Sequence, residues 1–402
     1  MTRLNTFTRE EREPYINSAQ ESYLMLEIDG SLGEGGGQIL RTSVAMSAIT
    51  GTPAKITNIR GNRPKPGLSA QHLTAITAAA SLTGAEVEGL ALRSTGIVFS
   101  PGEIKGGKYR MDIGTAGSIS LLLQCLIPIA LHAPETVVFD ITGGTDVKWS
   151  PPIDYLRQVT LPALALLGCS VTITVLQRGY YPRGGGRVRV VVEPSRISGV
   201  DFERRGVGPV EGADADLDAD AGVNVVYGRS YASGLPEHVA KRQRSAAVAR
   251  LRDHGYAADV TVATDPPASA GGSGSVGGKG SRGGKGSRGG TYSTGSGIVL
   301  WRGLVAGSAL GERGKRAEVV GADAADAIIR ELDSGASVDV YLADQLIPYM
   351  ALAGSGSFTT RELSLHAKTN IMVCEQFADV RFVVEPPDHV IRVRSMPGRA
   401  GR

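Results

Sequence analysis

Apolar residues along this chain keep switching between two periods. Ile39, Leu40, Val44, Ala45 and Met46 recur at helical spacing and predict a helix over 39–50, while Ala54 to Ile59 alternates and predicts a strand. A second helix is expected over 68–82, then strands over 85–90 and 96–100. The same order returns about 80 residues on: helix 119–131, strand 136–141, helix 153–167, strands 170–176 and 187–192. A third set closes the chain, with a helix over 346–353, an extended run 357–361, a helix over 367–377 and strands 380–384 and 390–393. Just before it, Val338 to Leu342 reads as one more strand. Three helix-strand-helix-strand-strand units imply an α+β architecture of layered repeats.

Between the second and third sets the pattern breaks. A strand (223–227), a charged amphipathic helix (237–254) and strands 258–264 and 298–302 predict a small inserted α/β domain over 196–305. The repeats on either side, 25–195 and 306–396, form the body. Within the insert, 270–290 is Gly/Ser-rich with Lys279, Arg282, Lys285 and Arg288, the composition of a flexible loop. Residues 1–24 are charged and without apolar periodicity, and are expected to be a disordered leader.

Composition narrows the class. Hydrophobic content of 42% with 21% charged residues is that of a soluble globular chain, and a net charge of +3 is too small to imply nucleic-acid binding by itself. Cys125, Cys169 and Cys374 sit apart in apolar settings, so they read as buried thiols of a reducing cytoplasm rather than a disulfide or zinc framework. No apolar run approaches ~20 residues, so no membrane partner is expected.

The chemistry gathers in loops. Asp29-Gly-Ser-Leu-Gly-Glu-Gly-Gly-Gly-Gln-Ile-Leu-Arg41 joins a strand-like run to the first helix. Its glycines expose backbone amides at a helix N-terminus, an anion seat to which Glu34, Gln38 and Arg41 add a carboxylate, an amide and a guanidinium. The spacing is neither that of a P-loop nor of a dinucleotide fingerprint. Arg60-Gly-Asn-Arg63-Pro-Lys65-Pro-Gly67 puts three cations on a stiff loop suited to phosphate, with His72 one turn into the next helix. Gly143-Gly-Thr-Asp146 and Tyr180-Tyr-Pro-Arg-Gly-Gly-Gly186 occupy comparable places in the second repeat, and convergence of such loops predicts a shared cleft. His366 falls at the start of the last helix, where the dipole disfavours imidazolium and leaves a lone pair able to attack phosphorus. Asp344 and Gln345 are placed to orient an imidazole or a purine, and Tyr341 to stack on one.

Assembled, these segments resemble the RNA 3′-terminal phosphate cyclases: Asp29–Arg41, Ile59–Leu68 with Gln71-His72-Leu73, Gly143–Asp146, Gly179–Gly186, Leu342-Ala-Asp-Gln345 and His366-Ala-Lys-Thr-Asn-Ile371. The resemblance runs from about Met25 to Val393 and is weakest in the insert. It implies a body related to the enolpyruvyl transferases and three chemical steps. His366 would take AMP from ATP and release pyrophosphate. AMP would pass to an RNA 3′-phosphate, and the 2′-hydroxyl would then close a 2′,3′-cyclic phosphate and expel AMP. It further implies Glu34 as ligand of Mg²⁺ or Mn²⁺, adenine between Tyr341 and Pro151, Gln38, Arg41, Asp344 and Gln345 on the nucleotide, and Arg60, Arg63, Lys65 and His72 on the substrate phosphate. The RNA, the preferred metal and a homo-oligomer are left open. Two other readings share the layout, a non-catalytic ribosome-assembly relative and an enolpyruvyl transferase. Neither is expected to carry His366 in its Ser-Leu-His-Ala-Lys-Thr-Asn setting.

Overall fold

The computed structural model describes residues 25–203, 225–265, 293–385 and 391–397. The leader 1–24 and the Gly/Ser tract 270–290 lie outside the described residues. The first unit runs β1 (Leu26–Asp29), α1 (Gly37–Thr50), β2 (Ala54–Thr57), α2 (Ala70–Thr83), β3 (Glu86–Glu88) and β4 (Ile97–Ser100). Its sheet has the order β1-β2-β4-β3, with β1 parallel to β2 and the other pairs antiparallel.

The second unit repeats that topology. It comprises β5 (Gly107–Asp112), α3 (Ile119–Ala130), β6 (Val137–Gly143), α4 (Ile153–Tyr155), a π turn (Leu156–Thr160), α5 (Leu161–Leu166), β7 (Ser170–Gln177) and β8 (Gly186–Glu193). The order is β5-β6-β8-β7, again with only the first pair parallel. Strict alternation shapes β8: Val188, Val190 and Val192 face the core while Arg187 and Arg189 face solvent. The helix α3 is apolar nearly all round and buried, as such a helix must be.

The small layer contains β9 (Val225–Ser233), α6 (Glu237–Asp253), β10 (Ala257–Asp265), β11 (Gly295–Arg302), β12 (Val305–Leu310) and α7 (Ala317–Asp333). Its sheet is ordered β10-β9-β11-β12, over a separate apolar cluster of Val226, Leu251, Leu300, Val320 and Ile328 among others. This layer runs on to Asp333, where the sequence reading ended it at 305. The sequence pattern does not announce α7, because half of the residues it buries are Ala or Gly.

The third unit holds α8 (Val340–Ala353), β13 (Gly356–Thr360), α9 (Leu365–Phe377), β14 (Val380–Glu385) and β15 (Ile391–Pro397), with sheet order β13-β15-β14. Its leading strand survives in miniature. Asp201 bridges Ser357 in parallel, Phe202 N–H donates to Ser357 O (2.9 Å) and Ser357 N–H to Val200 O (3.0 Å). The small layer is therefore spliced between the first strand and the first helix of the third repeat, and residues 199–203 go with the body rather than the insert.

The strand expected over Val338–Leu342 is instead the start of α8. The Asp339 carboxylate accepts from the amides of Tyr341 and Leu342 (2.9 Å each), and this cap starts a helix where apolar alternation suggested a strand. Among the described residues no helix is long and apolar enough to cross a membrane.

Candidate active site

Two helix starts meet at the site. Helix α1 begins at Gly37 with Gly36 as its uncapped N-cap, so the first-turn amides have no side-chain partner. The loop before it turns at Gly33 (φ 61°) and Gly35 (φ 58°), both in the left-handed region. A Cβ at Gly33 would strike the Thr369 hydroxyl of α9, and one at Gly37 the His72 ring, so the chain approaches both closely. Asp29 ties the loop's entrance, its Oδ1 accepting from Ser31 N–H (2.9 Å), Ser31 Oγ (2.7 Å) and Asn58 Nδ2 (3.1 Å).

Opposite lies the start of α9, where the Ser364 hydroxyl accepts from Ala367 N–H (3.0 Å). His366 is the second residue of that helix, and its imidazole is 39% exposed. Nε2 meets the Glu34 carboxylate and Nδ1 lies 3.8 Å from Asp344 Oδ2. Burial, then the neighbouring Arg41 and Arg63 guanidiniums, push the ring down to about 4, so it is neutral at pH 7. The Nε2 side of the neutral ring faces the Glu34 carboxylate.

Arg41 is 6% exposed and borders a narrow cavity with Gln38, Thr42, Gln124, Asp344 and Asn370. Nη2 reaches Gln124 Oε1 only at 3.4 Å, and the buried Nε has no partner. Burial lowers this guanidinium to about 10 and raises the Asp344 carboxyl to about 8, the Arg41 charge offsetting only part of the latter. An orphaned guanidinium N–H beside a protonated carboxyl is a setting that an anionic ligand would complete.

The basic loop is only partly free. Arg60 (φ 55°) donates Nη1 to Gly67 O (2.9 Å), closing its own loop, and burial followed by repulsion from Arg93 lowers its pKa. Asn62 Nδ2 donates to Ser31 O (2.9 Å), pinning this loop to the glycine loop, and Arg63 pairs with Glu34. Lys65 is exposed and makes no ion pair among the described residues. His72 is no surface cation. It is 7% exposed, bonds Ser69 Oγ through Nδ1 (2.7 Å), and is pushed down to about 3 by burial, Arg41 and Arg60. Its ring braces Gly37 from behind.

Gln345 has both ends of its amide occupied: Nε2 donates to Tyr341 O (2.9 Å) and Oε1 accepts from Thr160 of the π turn (3.0 Å). Tyr341 stands 64% exposed at the start of α8. Pro151 O accepts from Ser120 Oγ (2.6 Å), and Tyr155, four residues on, donates its hydroxyl to Asp339 Oδ1 (2.7 Å), which joins the end of α4 to the start of α8.

At the other two glycine loops the charges of Asp146 and Arg178 turn inward, away from the anion seat. Asp146 is 2% exposed and pairs with Arg178 (3.1 Å), which also pairs with Asp154 and lies over the Tyr231 ring. Tyr231 of β9 donates its hydroxyl to Asp146 Oδ1 (2.9 Å), so these charges fasten the second unit to the small layer.

Asn370 is a residue the sequence reading left without a role. Its Nδ2 donates to Asp344 O (2.7 Å) and its Oδ1 accepts from Thr42 Oγ1 (2.7 Å), so one amide joins α9, α8 and α1. The signal was available: four residues after His366, it shares that residue's helix face. Gln124 carried no comparable cue, because only the fold brings α3 to Arg41.

A repeat-built α+β body that sets a neutral histidine and a buried guanidinium around an anion seat belongs to the phosphate-handling proteins. More specifically, the chain belongs to the RNA 3′-terminal phosphate cyclase family, which it matches over residues 32–384. It is 49% identical over 376 residues to the RNA 3′-terminal phosphate cyclase of Methanosarcina mazei, covering 92% of this chain and 99% of that one. Identity to the protein of the same name from Archaeoglobus fulgidus is 48% over 354 residues (88% and 95% covered), and to that from Pyrococcus furiosus 45% over 367 (90% and 95%).

Proposed function

We propose that this chain is an ATP-dependent RNA 3′-terminal phosphate cyclase with His366 as its nucleophile. The observation that carries this reading is the neutral imidazole at the start of α9, opposite an uncapped α1 and beside the unpartnered Nε of Arg41. The Nε2 proton passes to the Glu34 carboxylate while the protonated Asp344 carboxyl gives its own to Nδ1, which frees the Nε2 lone pair. The Nε2 lone pair attacks the α-phosphorus of ATP, a P–N bond forms, the α–β anhydride breaks and pyrophosphate leaves. An oxygen of the RNA 3′-phosphate then displaces the histidine, and the 2′-oxygen attacks that 3′-phosphorus and expels AMP. Arg41 and the α1 amides offset charge that builds on the transferred phosphorus.

Among the described residues no group of three His, Cys, Asp or Glu side chains could hold a metal. Glu34 offers a hard oxygen donor that would hold Mg²⁺ or Mn²⁺ on the ATP phosphates, in exchange for the Arg63 and His366 contacts its two oxygens now make. Such an ion would neutralise phosphate charge. The buried thiols suit a reducing cytoplasm.

Incubation with α-labelled ATP should label the wild-type protein, with an acid-labile, base-stable bond. A 3′-phosphorylated oligoribonucleotide should become phosphatase-resistant only when ATP is present. An unlabelled protein with an unchanged RNA end refutes the reading.

A further inference from the structure

Trp149 is 94% exposed and Tyr181 76%, the two most exposed of the large hydrophobic side chains among the described residues. Both lie in loops of the second unit, and Trp149 stands two residues before Pro151, which the resemblance places on the adenine. Trp149 also has φ 62°, a backbone setting that bulky residues rarely adopt, so the loop holds the indole outward against a local cost. That loop is braced on both sides. Lys148 pairs with Glu312 (2.8 Å), Ser150 Oγ donates to Val147 O (2.9 Å), and Pro151 and Pro152 follow.

The two loops are stitched together. Asp146 bridges Tyr180, and Thr145 N–H donates to Gly179 O (2.8 Å). Beside Tyr181, Arg183 is exposed and makes no ion pair among the described residues. The nearby acids are spoken for: Glu312 by Lys148, and Asp146 and Asp154 by Arg178. Contact then continues toward the anion seat. Gly184 packs on Thr115 O and Ala116, Gly117 on Gln71, and Ser118 N–H donates to Gln71 Oε1 (2.8 Å). Gln71 adjoins His72, which backs Gly37.

On the cyclase reading above, we infer that Trp149 and Tyr181 form a platform on which bases of the incoming RNA strand stack, with Arg183 on its phosphodiester backbone. Stacking suits this role because every base has a π face, so an end of any sequence is accepted, and one free cation adds a salt-dependent backbone contact. The catalytic seat reads the terminal phosphate, and the platform holds the strand behind it.

The chain has two tryptophans, Trp149 and Trp301, so Trp149 serves as its own reporter. A short 3′-phosphorylated oligoribonucleotide, added without ATP, should quench tryptophan emission in the wild type, and Trp149→Phe should lose most of that quench. In turnover, Trp149→Ala and Tyr181→Ala should each raise KM for the oligonucleotide about tenfold, the size of one lost base stack. KM for ATP should hold, as should KM for a dinucleotide too short to reach the platform. Both side chains are exposed, so neither variant empties the core. An unchanged oligonucleotide KM in both variants overturns the platform, and so does a rise in KM for ATP, which would make Trp149 a wall of the nucleotide site. Trp149-dependent quenching by a wild type that closes no ring would leave the platform standing and refute the cyclase reading.

Discussion

A proton is unwelcome on His366, and that sets how the protein meets acid. The folded ring titrates at about 4 against an ordinary 6.5, so between those values the unfolded chain binds the proton and the folded chain does not. The stabilising difference is fully present above pH 6.5 and is lost as the pH falls toward 4. His366→Asn lacks that titration. Wild type should therefore lose stability relative to this variant over that window, with no divergence from pH 7 to 8, as urea midpoints at several pH values would show. Asp344 acts with the opposite sign, since its raised pKa of about 8 favours the folded state at low pH and cancels out of the comparison. The same variant should take no label from ATP while keeping its fold.

At Arg41 the geometry separates charge from shape. Arg41→Lys keeps the cation and loses the planar fork whose Nε is unpartnered. Adenylation should fall by about 10²–10³-fold, the usual cost of one donor at a developing phosphate charge, with little rescue over Arg41→Ala. Arg63 and Lys65, which sequence grouped together, should divide. Arg63→Ala frees Glu34 and should alter the ATP step, whereas Lys65→Ala should leave labelling intact and weaken only the RNA steps. Equal effects of the two on labelling would contradict this division.

Among the elements, α8 shows what a cap can carry. The Asp339 carboxylate accepts from Tyr341 and Leu342 of its own helix, from the Tyr155 hydroxyl of the second unit (2.7 Å) and from Ala306 N–H of β12 (2.9 Å). Asp339→Ala removes a cap and orphans buried donors in two other units, a cost of about 2 kcal/mol or more. Leu126→Ala in the fully buried α3 should cost ~2–5 kcal/mol through the cavity it leaves. Both are measurable by denaturant unfolding. If Asp339→Ala falls within the range of a surface substitution, the junction does not depend on it.

These two helices also mark what sequence could and could not show. The apolar run of α3 is self-evident, as are the two periods that reveal the repeats. The start of α8 was read as a strand because Val338 to Leu342 alternates for a few residues, and only tertiary partners reveal Asp339 as a cap. In the site, the glycine loop, the basic loop and His366 were legible because their chemistry is local. The bonds that give those residues their environment were not. Thr42 and Asn370 stand 328 positions apart in the chain, and Arg41 and Gln124 stand 83 apart.

For the whole molecule, the small layer has an apolar cluster of its own between its sheet and α6 and α7, although Tyr231, Val299 and Ala306 pack into the body's core. That cluster predicts a second opening unit in native-state hydrogen exchange. Amides of β9–β12 should exchange together and independently of α1, α3 and α8. The Val200–Phe202 segment should exchange with β13, its spatial neighbour, rather than with the small layer that follows it. Protection of 200–202 that tracks β9 would refute this division.

The splice within the third repeat also sets a clock on biosynthesis. Asp201 and its partner Ser357 are separated by 156 residues. At a translation rate of ~5–20 residues per second, the leading strand waits roughly 8–30 seconds after it is made before its neighbour exists. The first two repeats and the small layer have that interval to fold ahead of it. The third sheet is the last part of the nascent chain to close, and until then a short strand edge beside Val200 stays open to whatever holds newly made protein.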